Sequence, residues 1–205
     1  MSKFFKLNKL ILQIFFLYAV LLTCSGYSLE KHNRGDSVSN YFSGIISLQN
    51  NKYKESYNFF KKIENLEDNH SKYSKSFLKS LVNNSKINEA FNYSKKLQIK
   101  KINFFQSDLV IVSKLIKNND FKKANNILAS NKINNYTSLE ELLDQIIFSW
   151  VQIEKSNLNY NEAIEKFQSI SPQYKNIKRI NNVFLSCYFD TANVQTEFQN
   201  LIDDK

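Results

Sequence analysis

The small residue of a recurring large-small-large pattern moves along this chain from Ser56 to Ala90 to Ala124, a stride of 34 each time, and then to Ala163, 39 further on. Three before and four after it stand Tyr53 and Phe60, Ile87 and Ser94, Phe121 and Leu128, and Tyr160 and Phe167, so only Ser94 breaks the large flank. Spacings of three and four put these side chains on one helical face. A small residue between two large ones lets a second helix cross closely while the flanks fill the grooves on either side. When such a unit repeats at a fixed period, no copy can bury its apolar face alone, and each leans on its neighbours.

A second helical series precedes the first. Thirteen and nine residues before each small residue lie Ser43 and Ser47, Phe77 and Leu81, Ile111 and Leu115, and Trp150 and Glu154, which assigns a helix A to every helix B. Asn51, Ser85, Asn119 and Asn159 stand at the A-to-B turns, where a short polar side chain is expected to cap the first amides of helix B. The fourth helix A, Leu139 to Lys155, is long and is expected to open with a capping box at Ser138 and Glu141. Pro172 closes the fourth pair, and Tyr174 to Tyr188 with Ala192 to Ile202 reads as a fifth, divergent pair. With 3 Gly and 1 Pro in 205 residues, the chain lacks the turn residues that hairpins and phosphate loops require. The class expected is therefore all-α.

The 34-residue period, the small residue of helix B and Gly44 in the first helix A together resemble the tetratricopeptide repeat. Leu78, Val112 and Val151 replace the family's small residue in the later A helices, so the resemblance rests mainly on helix B. It covers roughly residues 37 to 171 and implies a right-handed superhelical solenoid of antiparallel helix pairs over 37–205. It also implies a role in binding proteins without chemistry.

Residues 1–28 have the layout of a secretory signal peptide: Lys3, Lys6 and Lys9, an apolar run from Leu10 to Leu22 broken only by Gln13, and a small-residue exit. The run is short for a hydrocarbon core of about 30 Å. A cut after Ser28, with Gly26 at the −3 position, would leave residues 29–36 as a mature amino-terminal extension. Two alternatives stay open: an uncleaved anchor, or acylation of Cys24 within Leu21-Leu22-Thr23-Cys24, which resembles a lipoprotein box although Thr23 departs from it. The expected compartment is outside the cytoplasm, in the periplasm; either alternative ties the chain to a membrane. After the expected cut Cys187 is the single cysteine, read as a small buried hydrophobe.

Charge and motif content exclude several classes. The formal charge is +9, of which three belong to the leading segment, and the remaining lysines are scattered beside acids without an aromatic stripe, so nucleic acid is not an expected partner. His32 and His70 have no second ligand at metal spacing, so neither metal nor cofactor is expected. No Gly-x-Ser-x-Gly or phosphate loop occurs, and the acid pairs Glu140-Glu141 and Asp203-Asp204 lie at a helix start and the chain end. Neither catalytic residues nor a small-molecule substrate are expected.

The resemblance places a concave groove on the A helices. Projecting the register, with 39 residues between the third and fourth copies, lines it with Val38, Tyr41, Ile45 and Leu48, then Lys72, Lys75, Lys79 and Asn83. Gln106, Leu109, Ser113 and Lys117 follow, and then Phe148, Gln152 and Lys155. The lysines at 72, 75 and 79 share one helical face, which suits an acidic peptide and equally suits a solvated surface. Tyr41 and Ile45 hold the places of the Lys and Asn with which chaperone-binding members clamp a peptide carboxylate, so that specificity is not carried over. The expected role is an interaction scaffold of the bacterial cell envelope; the alternative is a lipoprotein of an envelope assembly held by Cys24.

Overall fold

The computed structural model describes residues 35–63, 66, 70–130 and 137–203, and every regular element among them is helical. Ten α-helices run in order: α1 (35–49), α2 (Tyr53–Lys61), α3 (Ser71–Asn83), α4 (Ile87–Ile99), α5 (Phe105–Lys117), α6 (Phe121–Ser130), α7 (Ser138–Ser156), α8 (Tyr160–Lys166), α9 (Lys175–Tyr188) and α10 (Val194–Asp203). Odd numbers are A helices and even numbers B helices. The leading segment with Cys24, and His32, lie outside the described residues. The chain divides into two compact units at Ile87 and Asn88.

In the first unit the helix crossing is held at Ser56, which is fully buried and donates from Oγ to the Gly44 carbonyl at 2.9 Å. A methyl group on Gly44 would sit 2.7 Å from the Phe60 ring, so the absent side chain is what lets α2 seat this phenyl against α1. Around Phe60 the core is aromatic: Tyr73 meets it edge-on at 5.8 Å, and Phe77 stacks on Tyr73 at 5.7 Å and on Tyr57 at 6.2 Å. The buried Tyr73 hydroxyl is satisfied by the Phe60 carbonyl at 3.1 Å.

The second unit is more aliphatic. Val112, Ala124, Leu128 and Val151 form one cluster, and Leu142, Ile153, Ala163, Phe167, Ile170 and Leu185 another. Ala90, Ala124 and Ala163 are 0% exposed, like Ser56. Where larger groups replace Gly44 they are buried as well, Leu78 at 2% and Val112 at 0%.

The turns differ from expectation in an instructive way. Asn51, Ser85 and Asn119 do not cap the helices that follow; they adopt left-handed backbone at φ 59°, 57° and 57° and close the helices that precede. Asn157 and Asp190 do the same after α7 and α9. In each case the amide of the next residue reaches back five positions: Lys52 to Ser47, Lys86 to Leu81, Asp120 to Leu115, Leu158 to Ile153 and Thr191 to Ser186, at 2.8 to 3.3 Å. This back-bonding satisfies carbonyls that a helix end leaves open. Glycine normally does this work, and a glycine-poor chain gives it to Asn, Asp and Ser, whose short polar side chains tolerate the conformation. Of the four expected caps only Asn159 acts as one, accepting from the Glu162 amide at 3.1 Å. Before α6 the cap is Asp120, whose Oδ1 accepts from Lys123 N at 3.2 Å. The capping box of α7 lies one residue earlier than expected, at Thr137 and Glu140.

Those five back-bonds also measure register. Their acceptors fall at 47, 81, 115, 153 and 186, so α7 is displaced from α5 by 38 while helix B is displaced by 39. The fourth A-to-B turn contains the extra residue: α7 ends at Asn157, and Leu158 intervenes before the Asn159 cap. Trp150, not Val151, therefore takes the place of Gly44 and Val112, and its ring meets Phe167 on α8 at 5.6 Å. Cys187 is exposed instead of buried, because α9 turns Val183, Leu185 and Ser186 inward.

Two substitutions test this packing. Gly44→Ala gains about 1 kcal/mol of helix propensity but forces the Phe60 ring to move at about 1–3 kcal/mol, so a net loss of about 1 kcal/mol is expected in urea unfolding. Lys101, left-handed at φ 59° after α4, has no compensating short polar side chain. Lys101→Gly is expected to raise the urea midpoint by about 0.5–1 kcal/mol equivalent with an unchanged slope.

Candidate functional surface on the A helices

In the first unit α1 and α3 present one surface. Tyr41 and Ile45 are half-buried on α1, whereas Lys72, Lys75 and Lys79 are exposed on α3. The Tyr41 ring is fixed from two sides, 4.7 Å from His70 and 6.3 Å from Phe60. His70 Nδ1 caps α3 by accepting from the Tyr73 amide at 3.1 Å. The acceptor role fixes the proton on the other ring nitrogen. Sequence reasoning missed this because histidine is an uncommon cap, although its place just before an apolar-periodic helix was the available signal. Leu48, projected onto the groove, is only 8% exposed and belongs to the core.

The second unit carries a corresponding surface on α5, α7 and α9. Leu109 is half-buried and Ser113 exposed on α5. Neighbouring A helices touch directly, through Gln106 Nε2 to Glu140 Oε1 at 2.8 Å and Trp150 Nε1 to Asn181 Oδ1 at 3.0 Å. The displacement of 38 changes which residues of α7 belong here: Ile147 and Val151 occupy the places of Leu109 and Ser113, not Phe148 and Gln152. Phe148 instead packs against the Val112, Ala124 and Leu128 cluster. Gln152 hydrogen-bonds to Asn125 on α6. On its other side Phe148 lines an open cleft of about 310 Å³ together with Gln145, Ser149, Gln152, Lys166 and Ser169. At the far edge Phe184 and Tyr188 of α9 are 51% and 52% exposed. A hydrogen bond to Glu154 holds the Tyr188 phenol above its usual range.

Chemically, both surfaces combine fixed apolar groups with amides, hydroxyls and ammonium groups. Among the described residues no three His, Cys, Asp or Glu side chains gather at metal-binding distance. Asp144 on α7 is the one described acid whose burial pushes it up to about 6 from 3.8. Because the folded value is raised, the contribution to stability is fully present below pH 3.8 and is lost as pH rises through about 6. Asp144→Asn should therefore stabilise the chain at pH 7.5 by about 1 kcal/mol, discounted for partial solvent access, with the gap closing below pH 4 in paired urea titrations.

No protein-family model matches the sequence, and no curated protein does. A solved structure of the MamA RS-1 ArsTM double mutant is similar over 82% of this chain and 93% of its own, with a TM-score of 0.60 and 14% identity. MamA contains tetratricopeptide repeats. At that identity the likeness speaks to architecture alone, and with the helix pairing above it shows that this chain has an all-α, tetratricopeptide-like fold of antiparallel helix pairs.

Proposed function

We propose that this chain is a non-enzymatic scaffold of the bacterial cell envelope that holds an extended segment of a partner protein along its A helices. The observations that carry this reading are a Tyr41 ring on α1 positioned by Phe60 and by His70, the cap of α3, and three exposed lysines on one face of α3. A preset aromatic anchor with a cationic row suits a segment that offers an apolar side chain followed by acids. Leu109 and Ser113 offer a neutral counterpart in the second unit. The protein-interaction role draws support from the tetratricopeptide-like fold, and export draws it from the signal-like residues 1–28.

Photo-crosslinking reads the surface directly. A photoreactive residue at Lys79 should capture one partner in the envelope fraction, and Lys72→Glu with Lys75→Glu should weaken its binding about tenfold or more while the helical circular-dichroism signal is kept. Charge reversal at Lys122 and Lys123 on α6 should leave capture unchanged. Equal capture by both double variants would sink the assignment. Amino-terminal sequencing of the same material separates the two localisations: Leu29 first for a processed, released chain, and an acylated Cys24 for a lipoprotein.

A further inference from the structure

The register fixed by the helix ends shows what the A helices of the second unit do with the face turned toward the preceding helix B. The positions corresponding to Phe42 and Ile46 are Val110 and Lys114 on α5, Phe148 and Gln152 on α7, and Asn181 and Leu185 on α9. Through that face Lys114, Phe148, Gln152 and Leu185 meet the preceding helix B, while Asn181 bonds Trp150 of the preceding A helix. Lys114 Nζ donates to Asn88 Oδ1 on α4 at 3.1 Å. Gln152 bonds Asn125 on α6, and Phe148 packs on Ala124 and Leu128. Leu185, fully buried, joins Ala163 and Phe167 of α8. On α1 the same face holds Val38, Phe42 and Ile46 at successive spacings of four, and they remain 56%, 58% and 57% exposed.

The complementary face is open on α10. Its Val194, Glu197 and Leu201 hold the three spaced positions of helix B, with Glu197 where the other B helices have Ser or Ala, and all three are half-buried beside α9. Phe198 then stands where Tyr57, Asn125 and Ile164 stand in α2, α6 and α8. Tyr57 and Asn125 are 6% and 7% exposed, each touching the A helix that follows. Phe198 is 45% exposed, and Ile202, one turn on, 57%.

Neither helix is cationic, α1 carrying Asp36 and α10 Glu197 and Asp203 as their charged residues. The chain has 28 Lys and Arg, yet among the ten described helices only α1 and α10 contain neither. In a molecule of net charge +9, two copies repel each other generally, and these are the two helices that bring no cation to an encounter.

We propose that α10 of one copy stacks on α1 of a second copy, Phe198 and Ile202 seating against Phe42 and Ile46, so that the B-on-A contact repeated within the chain continues between copies. The contact is heterologous: one face of each copy meets a different face of the next, and a head and a tail remain unused at the ends of any open assembly. This inference does not depend on the partner-binding reading above.

A heterologous contact can be tested by blocking one end at a time. The purified chain should show concentration-dependent association in sedimentation velocity beyond a pair. Phe42→Glu and Phe198→Glu, both at exposed positions where a folded chain is expected to survive, should each sediment as single chains with unchanged circular dichroism. Mixed in equal amounts they should form a one-to-one pair and stop there, because only the intact α10 of the first and the intact α1 of the second remain. A native chain that stays single at every concentration overturns the proposal. So does Phe198→Glu that still pairs with itself, which would mean α1 meets α1, or a mixture in which no pair forms, which would leave the α1 face to another occupant such as residues 1–34 of the same chain.

Discussion

Within each helix pair everything follows from how closely A and B cross. At Ser56 the approach is tight enough for a side-chain hydroxyl to reach a backbone carbonyl of the facing helix, and at Gly44 it is tight enough that a phenyl ring replaces a side chain. Later pairs relax one half of this arrangement and keep the other. In the second unit Ala124 and Ala163 preserve the small residue on helix B, while Val112 and Trp150 fill the A side. A pair needs one small partner at the crossing, not two, because the distance is set by the sum of the two side chains. The first pair, with Gly opposite Ser, instead admits Phe60 into the crossing, and the aromatic core of that unit follows from this.

Closing a helix without glycine shapes the turns. Each A helix is followed by a left-handed residue, and the amide of that residue and the next amide both bond backward into the last turn. The bonds offset a backbone conformation that L-residues otherwise avoid at about 1–2 kcal/mol. Helix B then begins two to four residues on, which leaves it little length to do anything except fold back. The polar turn is thus a constraint on direction as well as a stop signal.

Much of this was legible in the sequence, and the losses have identifiable causes. The stride of the small residue placed the first four B helices, because a close crossing permits few residue types. The A-to-B turns were located correctly but assigned the wrong task at Asn51, Ser85 and Asn119. Asparagine suits a helix start and a left-handed helix end equally well, so composition does not separate them. The α7 surface was misread by one residue, since a total spacing of 39 does not say how much lies in the link and how much in the turn; Leu158 decides it. That single residue moved Phe148 and Gln152 from the A-helix surface to the junction with α6. The His70 cap was missed because the proton position that makes it an acceptor is a tertiary matter.

The same one-residue displacement means that the rungs of the ladder share a position without sharing a chemistry. Within the second unit, Ser113, Val151 and Phe184 hold one register position on α5, α7 and α9, and they are hydroxylic, buried aliphatic and exposed aromatic. A periodic frame here displays an aperiodic text. Equal spacing of the backbone therefore does not bring equal surface chemistry from one helix to the next.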